Sequence, residues 1–262
     1  MPDSRSTFHQ QLDDVRRDLI RAAARVTESI MRGTEALIAL DLDAATELIE
    51  GDDEVDVLTL DIEERCFTIL ARQQPMASDM RAVVTAIRLT SEIERSGDLM
   101  VNVAKGVRRL YGVEVPVPLR SLLRAMAEQA VRLYGVAMDA YAEGDANLAA
   151  ALDDMDDRLD QLHKDYIQAI LELPADVQDV QVAVQLALVG RYYERIGDHA
   201  VNIGERVQYM VTGWLPEHAG AARLAAKAKA KAAGDGDGDG DGDRDGDGDG
   251  DGDDDGNGGA TA

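Results

Sequence analysis

From residue 8 to residue 212 the apolar residues recur three and four apart, and a chain with that period can bury them only as helices. Leu12, Val15, Leu19, Ala22, Val26, Ile30 and Leu37 mark a first helix over 8–40. Asp41 and Asp43 carry the side chains that cap a second, over 43–73. In "QQPMASD" (73–79) Pro75 disfavours helix in the residue before it and sets a turn, and a third helix follows over 76–110. "YGVEVPVPLR" (111–120) breaks the period with two prolines and reads as a linker. The plan then starts again, with a helix over 119–143, a second opened by Asp145, a turn at "LPADVQD" (173–179) and a last helix over 176–212. Strand-like alternation is confined to the linker, so the expected fold is all-α: two tandem three-helix bundles, over 8–112 and 119–212.

Charge narrows the partners. Acids outnumber bases 51 to 27, for a formal net charge of −24. Such a surface repels nucleic acid and anionic lipid, and neither is expected as a partner. Most of the bases are Arg, and the Asp-rich, Lys-poor balance resembles that of proteins from salt-loving archaea, where screening removes the self-repulsion. Aromatics make up only 4% of the chain, so the core must be aliphatic. Cys66 is the one cysteine, which excludes an intrachain disulfide and suits a reducing cytosol; its place in a helical pattern makes it a buried core residue. The N-terminus has no signal-peptide core, and no run reaches the ~20 apolar residues that cross a bilayer. A cytoplasmic chain with no membrane insertion is expected. Residues 222–262, an Ala/Lys segment followed by alternating Asp-Gly, offer nothing to bury and are expected to be disordered. The Asp-Gly stretch also lacks the large apolar residue that Gly- and Asp-rich calcium-binding repeats need for a core.

The second run of helices repeats the first in detail. "EIERSGDLMVNVAKGV" (92–107) aligns with "YYERIGDHAVNIGERV" (192–207), matching Glu94, Arg95, Gly97, Asp98, Val101 and Asn102 with Glu194, Arg195, Gly197, Asp198, Val201 and Asn202. "EGDDEVDVL" (50–58) aligns with "DMDDRLDQL" (154–162), placing Asp52, Asp53 and Asp56 over Asp156, Asp157 and Asp160. Repeated apolar positions need only a core. Repeated carboxylates need a further reason. Residues four apart share one helix face, so Glu94, Asp98 and Asn102 form a row, and Asp52 and Asp56 form another on the preceding helix. If the rows face each other, four carboxylates converge, and a multivalent cation or proton uptake must offset their repulsion. Gly97 and Gly197 each cost about 1 kcal/mol in a helix interior, which close approach of another group would offset. An Arg95–Asp98 ion pair, with Arg195–Asp198 in the second copy, is the simpler way to absorb one charge. His199 is expected at a rim or in a contact, since it points about 100° away from Asp198.

With "ERSGDLMVN" and "ERIGDHAVN" each preceded by an acidic helix and a Pro-containing turn, the chain over roughly 8–212 resembles the PhoU family of phosphate-transport accessory and regulatory proteins. The resemblance implies two symmetry-related three-helix bundles with multinuclear iron or zinc clusters on their surface. It implies ligands at Glu94 and Asp98 and at Glu194 and Asp198, with Asp52 and Asp56, and Asp156 and Asp160, contributing from the adjacent helices. Asn102 and Asn202 would stand behind them. All these donors are oxygens, which by their chemistry suit iron(III), manganese or magnesium better than zinc.

The resemblance further implies control of inorganic phosphate uptake through contact with components of the phosphate ABC transporter, and with a phosphate-sensing kinase where one exists, by a homodimer. The short stretch before the first helix is expected to be too small for the DNA-binding module that some relatives carry. Two other readings compete. A metal-free helical adaptor needs the acids only for salt tolerance. A di-iron carboxylate enzyme needs a Glu-x-x-His pair on each of two helices, which neither half has. No nucleophile–base pair or Gly-rich phosphate loop is present, and no catalysis is expected.

Overall fold

A computed structural model describes residues 4–173 and 179–214, and all of its regular structure is helical. The order is α1 (Ser4–Ala39), α2 (Leu42–Gly51), α3 (Asp53–Gln73), α4 (Ser78–Arg109), α5 (Val117–Glu143), α6 (Ala146–Leu171) and α7 (Val180–Thr212). Among the described residues no helix is long and apolar enough to cross a membrane. The segment 222–262 and part of the 173–179 turn lie outside the described residues.

The helix ends follow from local chemistry. α1 ends on Leu40, in the left-handed region at φ 54°, and α5 ends on Gly144 at φ 65°. Each is followed by a capping aspartate. The Asp41 carboxylate accepts from the Asp43 and Ala44 amides at 3.0 Å, and that of Asp145 from the Asn147 and Leu148 amides at 2.8 and 3.1 Å. Of the two expected caps, Asp41 is thus the one in use and Asp43 lies in the first turn. Asp179 caps α7, so that helix begins later than the expected residue 176.

The expected single helix over 43–73 is interrupted at Asp52, which keeps helical angles (φ −66°, ψ −34°) between α2 and α3. Gly51, Asp52 and Asp53 are poor residues for a helix interior, whereas the second copy has Met155 in place of Gly51 and α6 runs through unbroken.

Each half runs up, down and up: α1, α2–α3 and α4, then α5, α6 and α7. α4 packs against α7, and α1 against α5, so these four helices form the centre, with α3 and α6 outside. Both contacts between the halves are antiparallel. Arg81 donates to the Met210 carbonyl at 3.0 Å, and at the other end Arg109 donates to Gln185 at 3.2 Å. Arg16 donates to the Tyr141 carbonyl at 3.2 Å, while Arg124 makes a two-pronged pair with Glu35 at 2.9 and 3.1 Å. Two large side chains reach across the centre: buried Tyr193 bonds Thr34 Oγ1 at 2.6 Å, and buried Tyr134 donates to Ser96. One apolar core therefore runs through both halves, from Leu19, Ile30 and Met100 to Leu133, Leu159 and Ile203. Cys66 is fully buried within it, as expected.

Candidate metal centre

The acids of the repeat lie along two outer seams, α3 against α4 and α6 against α7. The glycines are what let the helices close there. Built onto Gly97, a Cβ would stand 2.8 Å from Asp52 Oδ1. Built onto Gly197, it would collide with Asp156 Oδ1 and, at 2.6 Å, with Leu159 Cδ2. In each half the aspartate of the outer helix thus lies over the glycine between the Glu and Asp of the inner one.

That placement brings like charges together. Burial, then the charges of Asp56, Asp98, Asp53 and Glu94, push the Asp52 carboxyl up to about 6. Burial, then Asp160, Asp198, Asp153 and Asp157, push Asp156 to the same value. Asp56 is raised by burial and by Asp98, and Glu94 by burial, Asp98 and Asp56, with Arg95 opposing. Asp56 and Asp98 are exposed, while Asp52 and Glu94 are half-buried. In the second seam Asp156, Asp160 and Glu194 are half-buried and Asp198 is exposed. Two oxygens there, Asp156 Oδ1 and Glu194 Oε2, are buried with no hydrogen-bond partner.

The donor set fits a hard cation: oxygens only, mutually repelling, two of them buried without a donor. Among the described residues, no three His, Cys, Asp or Glu side chains are closed on one point as a ligand set. The seams are facing rows of acids.

Several placements differ from the expectations. Arg95 leans back to Glu92 at 3.9 Å, away from Asp98. Asn102 follows Asp98 by one turn on α4, half-buried. Asn202 donates to Glu92 Oε2 at 3.1 Å, and the His199 Nδ1 proton goes to the same oxygen at 2.7 Å. His199 is therefore in a contact, buried where α4 meets α7. Burial alone would raise the Glu92 carboxyl; the hydrogen bonds from His199 and Asn202 outweigh it and hold it below the usual range.

Sequence reasoning missed three participants. Glu63 lies on α3 two turns after Asp56, and with Asp56, Thr59, Thr90, Ser91 and Glu94 it lines a cleft of about 300 Å³. Extending the acidic row by seven residues would have found it. Arg191 pairs with Glu194, three residues on, a spacing legible in the sequence. Glu92 had no such signal, because its partners come from the other half.

Comparison with known proteins places this arrangement. The model of the PhoU domain matches twice, at residues 19–107 and 123–207. The phosphate-specific transport system accessory protein PhoU homolog 1 of Mycobacterium tuberculosis is 34% identical over 213 residues, 81% of this chain and 96% of that protein. The crystal structure of PhoU from Pseudomonas aeruginosa superposes with a TM-score of 0.74 at 31% identity, covering 79% of this chain and all of that one. The phosphate transport system regulatory protein PhoU from Streptococcus pneumoniae gives 0.73 at 25% identity, over 79% of this chain and 98% of its own. With a match in each half and with this fold, the chain belongs to the PhoU family.

Proposed function

We propose that this chain regulates inorganic phosphate uptake and phosphate signalling, and that it acts by binding, with multivalent cations held in its two acidic seams. The observation that carries the reading is the repeated close approach of Asp52 to Gly97 and of Asp156 to Gly197, each flanked by a Glu and an Asp. A fold that served only as a scaffold gains nothing from gathering half-buried carboxylates twice.

Glu94, Asp98, Asp52 and Asp56 would hold the ions of one half, and Glu194, Asp198, Asp156 and Asp160 those of the other. Iron is the first choice for an all-oxygen set, before manganese, magnesium or zinc. A bound ion supplies concentrated positive charge on a chain of net charge −24, and with it a means to attract phosphate groups or acidic segments. The relatives named for phosphate-specific transport support that transport system, the phosphate ABC transporter in this reading, as the partner. A phosphate-sensing kinase as a second partner and a homodimer as the working unit belong to the proposal alone.

Two measurements test this. Metal analysis of the purified chain and of its Glu194→Ala and Asp198→Ala variants should show bound metal that falls in both variants. No bound metal, or a content unchanged in both variants, would leave an adaptor whose acidic seams hold no ion. Affinity capture in multimolar salt at high and low phosphate should recover a transporter component, and recovery of none in either condition would remove the regulatory assignment.

A further inference from the structure

The two seams share their four acids but not their surroundings. Aligned on the repeat, Ser91 of α4 corresponds to Arg191 of α7, and Leu60 and Glu63 of α3 correspond to Lys164 and Ile167 of α6. The first seam therefore has a fifth acid, Glu63, which with Asp56 and Glu94 lines a cleft whose other polar lining is the hydroxyls of Thr59, Thr90 and Ser91. No base lines that cleft. In the second seam the Arg191 guanidinium sits on Glu194 Oε1. The Glu194 side chain is only 13% exposed, and its second oxygen is buried and without a hydrogen-bond partner.

We infer that the seams are unequal cation sites: the α3–α4 seam, with Glu63 as an added carboxylate, holds a multivalent cation tightly, and the α6–α7 seam carries Arg191 as a built-in counter-charge that a cation must displace from Glu194. The inference rests on the metal reading above and adds to it an order of filling. One site stays loaded across a wide range of metal supply. The other fills only when supply is high, and in filling it frees a guanidinium, a fork of donors that suits phosphate oxygens. A charge at contact distance in a partly exposed setting changes affinity by about tenfold.

The test uses the full chain, stripped of metal by chelation and titrated with Mn²⁺, with the free ion followed by its electron paramagnetic resonance signal. Two classes of site are expected, separated by about tenfold or more. R191S should tighten the weaker class by about that factor and leave the tighter one in place, whereas E63Q should weaken the tighter class alone. Arg191 is half-exposed and α7 is long, so the variant keeps its helix; circular dichroism verifies it. The converse change, S91R, gives an independent reading, because it should weaken the tighter class. Equal sites in the unchanged chain, or R191S and S91R that both leave the constants unmoved, would overturn the inequality alone. Failure of every form to retain Mn²⁺ would overturn the metal reading itself.

Discussion

Asp52 lies over Gly97 with its Oδ1 2.8 Å from where a Cβ would stand, and Asp156 lies over Gly197 in the same way. The two glycines nevertheless differ in what else is close. At Gly97 the next atoms are 3.9 Å away, while at Gly197 the fully buried Leu159 is also in the way.

Gly97→Ala should therefore cost little stability. Rotation of the Asp52 side chain relieves the contact, and Ala gains about 1 kcal/mol of helix propensity over Gly. Gly197→Ala must also move a core leucine and should destabilise by about 1–3 kcal/mol. Urea unfolding of the two variants checks the contrast; equal losses would show that the carboxylate contact, and not Leu159, sets the cost. Both variants should lose cation affinity in the seam they alter.

The Glu92 carboxylate serves two donors from the opposite half, buried His199 and half-buried Asn202, so its removal should be felt across the molecule. Glu92→Ala leaves His199 Nδ1 and Asn202 without their acceptor and should cost about 2–4 kcal/mol. Glu92→Gln keeps one acceptor and should cost less. Replacing Glu92 and His199 together by Leu should recover much of the loss, which chemical denaturation of the three variants will show.

In the metal-free chain, acid should stabilise before it destabilises. Asp52 and Asp156 titrate near 6 when folded against an ordinary value of 3.8, so the folded state binds more protons than the unfolded one between those values. Stability therefore rises as pH falls through about 6 and the gain is complete below about 4. Glu92, held below its ordinary 4.5, acts in the opposite sense, and its contribution is lost as pH falls below that value. Denaturation midpoints measured across this range should pass through a maximum. The Asp52→Asn, Asp156→Asn double variant should flatten the arm above it, and an unaltered arm would assign the effect to other groups.

Burial pushes the Cys66 thiol up to about 12. A thiol reagent at about pH 8 should leave the native chain unmodified and label one site per chain once the chain is unfolded. Rapid labelling of native protein would mean that α3 opens locally.

The all-helical plan, the repeat and the caps at Asp41 and Asp145 were legible because each is written within one helix or one turn. The acidic rows were legible for the same reason, while the repeated glycines pointed only to a close approach and left open what approached. The break at Asp52 turned on the balance of a single glycine against its neighbours, which periodicity does not weigh. The Glu92–His199–Asn202 cluster joins residues more than 100 positions apart, and only the antiparallel packing of α4 on α7 brings them together. Arg191 could be read from its spacing to Glu194, but so could Arg95 to Asp98, and the sequence does not say which pair forms.

Because α4 lies against α7 and α1 against α5, the surface that unites the halves is part of their common apolar core. A single repeat produced alone would have that face bare and could cover it only with a second molecule, at a yield set by concentration. The proline-bearing connection at 111–116 turns that encounter into a unimolecular event, so the paired state persists at any dilution. It also leaves each repeat free to change its outer acids separately, which two identical chains could not do.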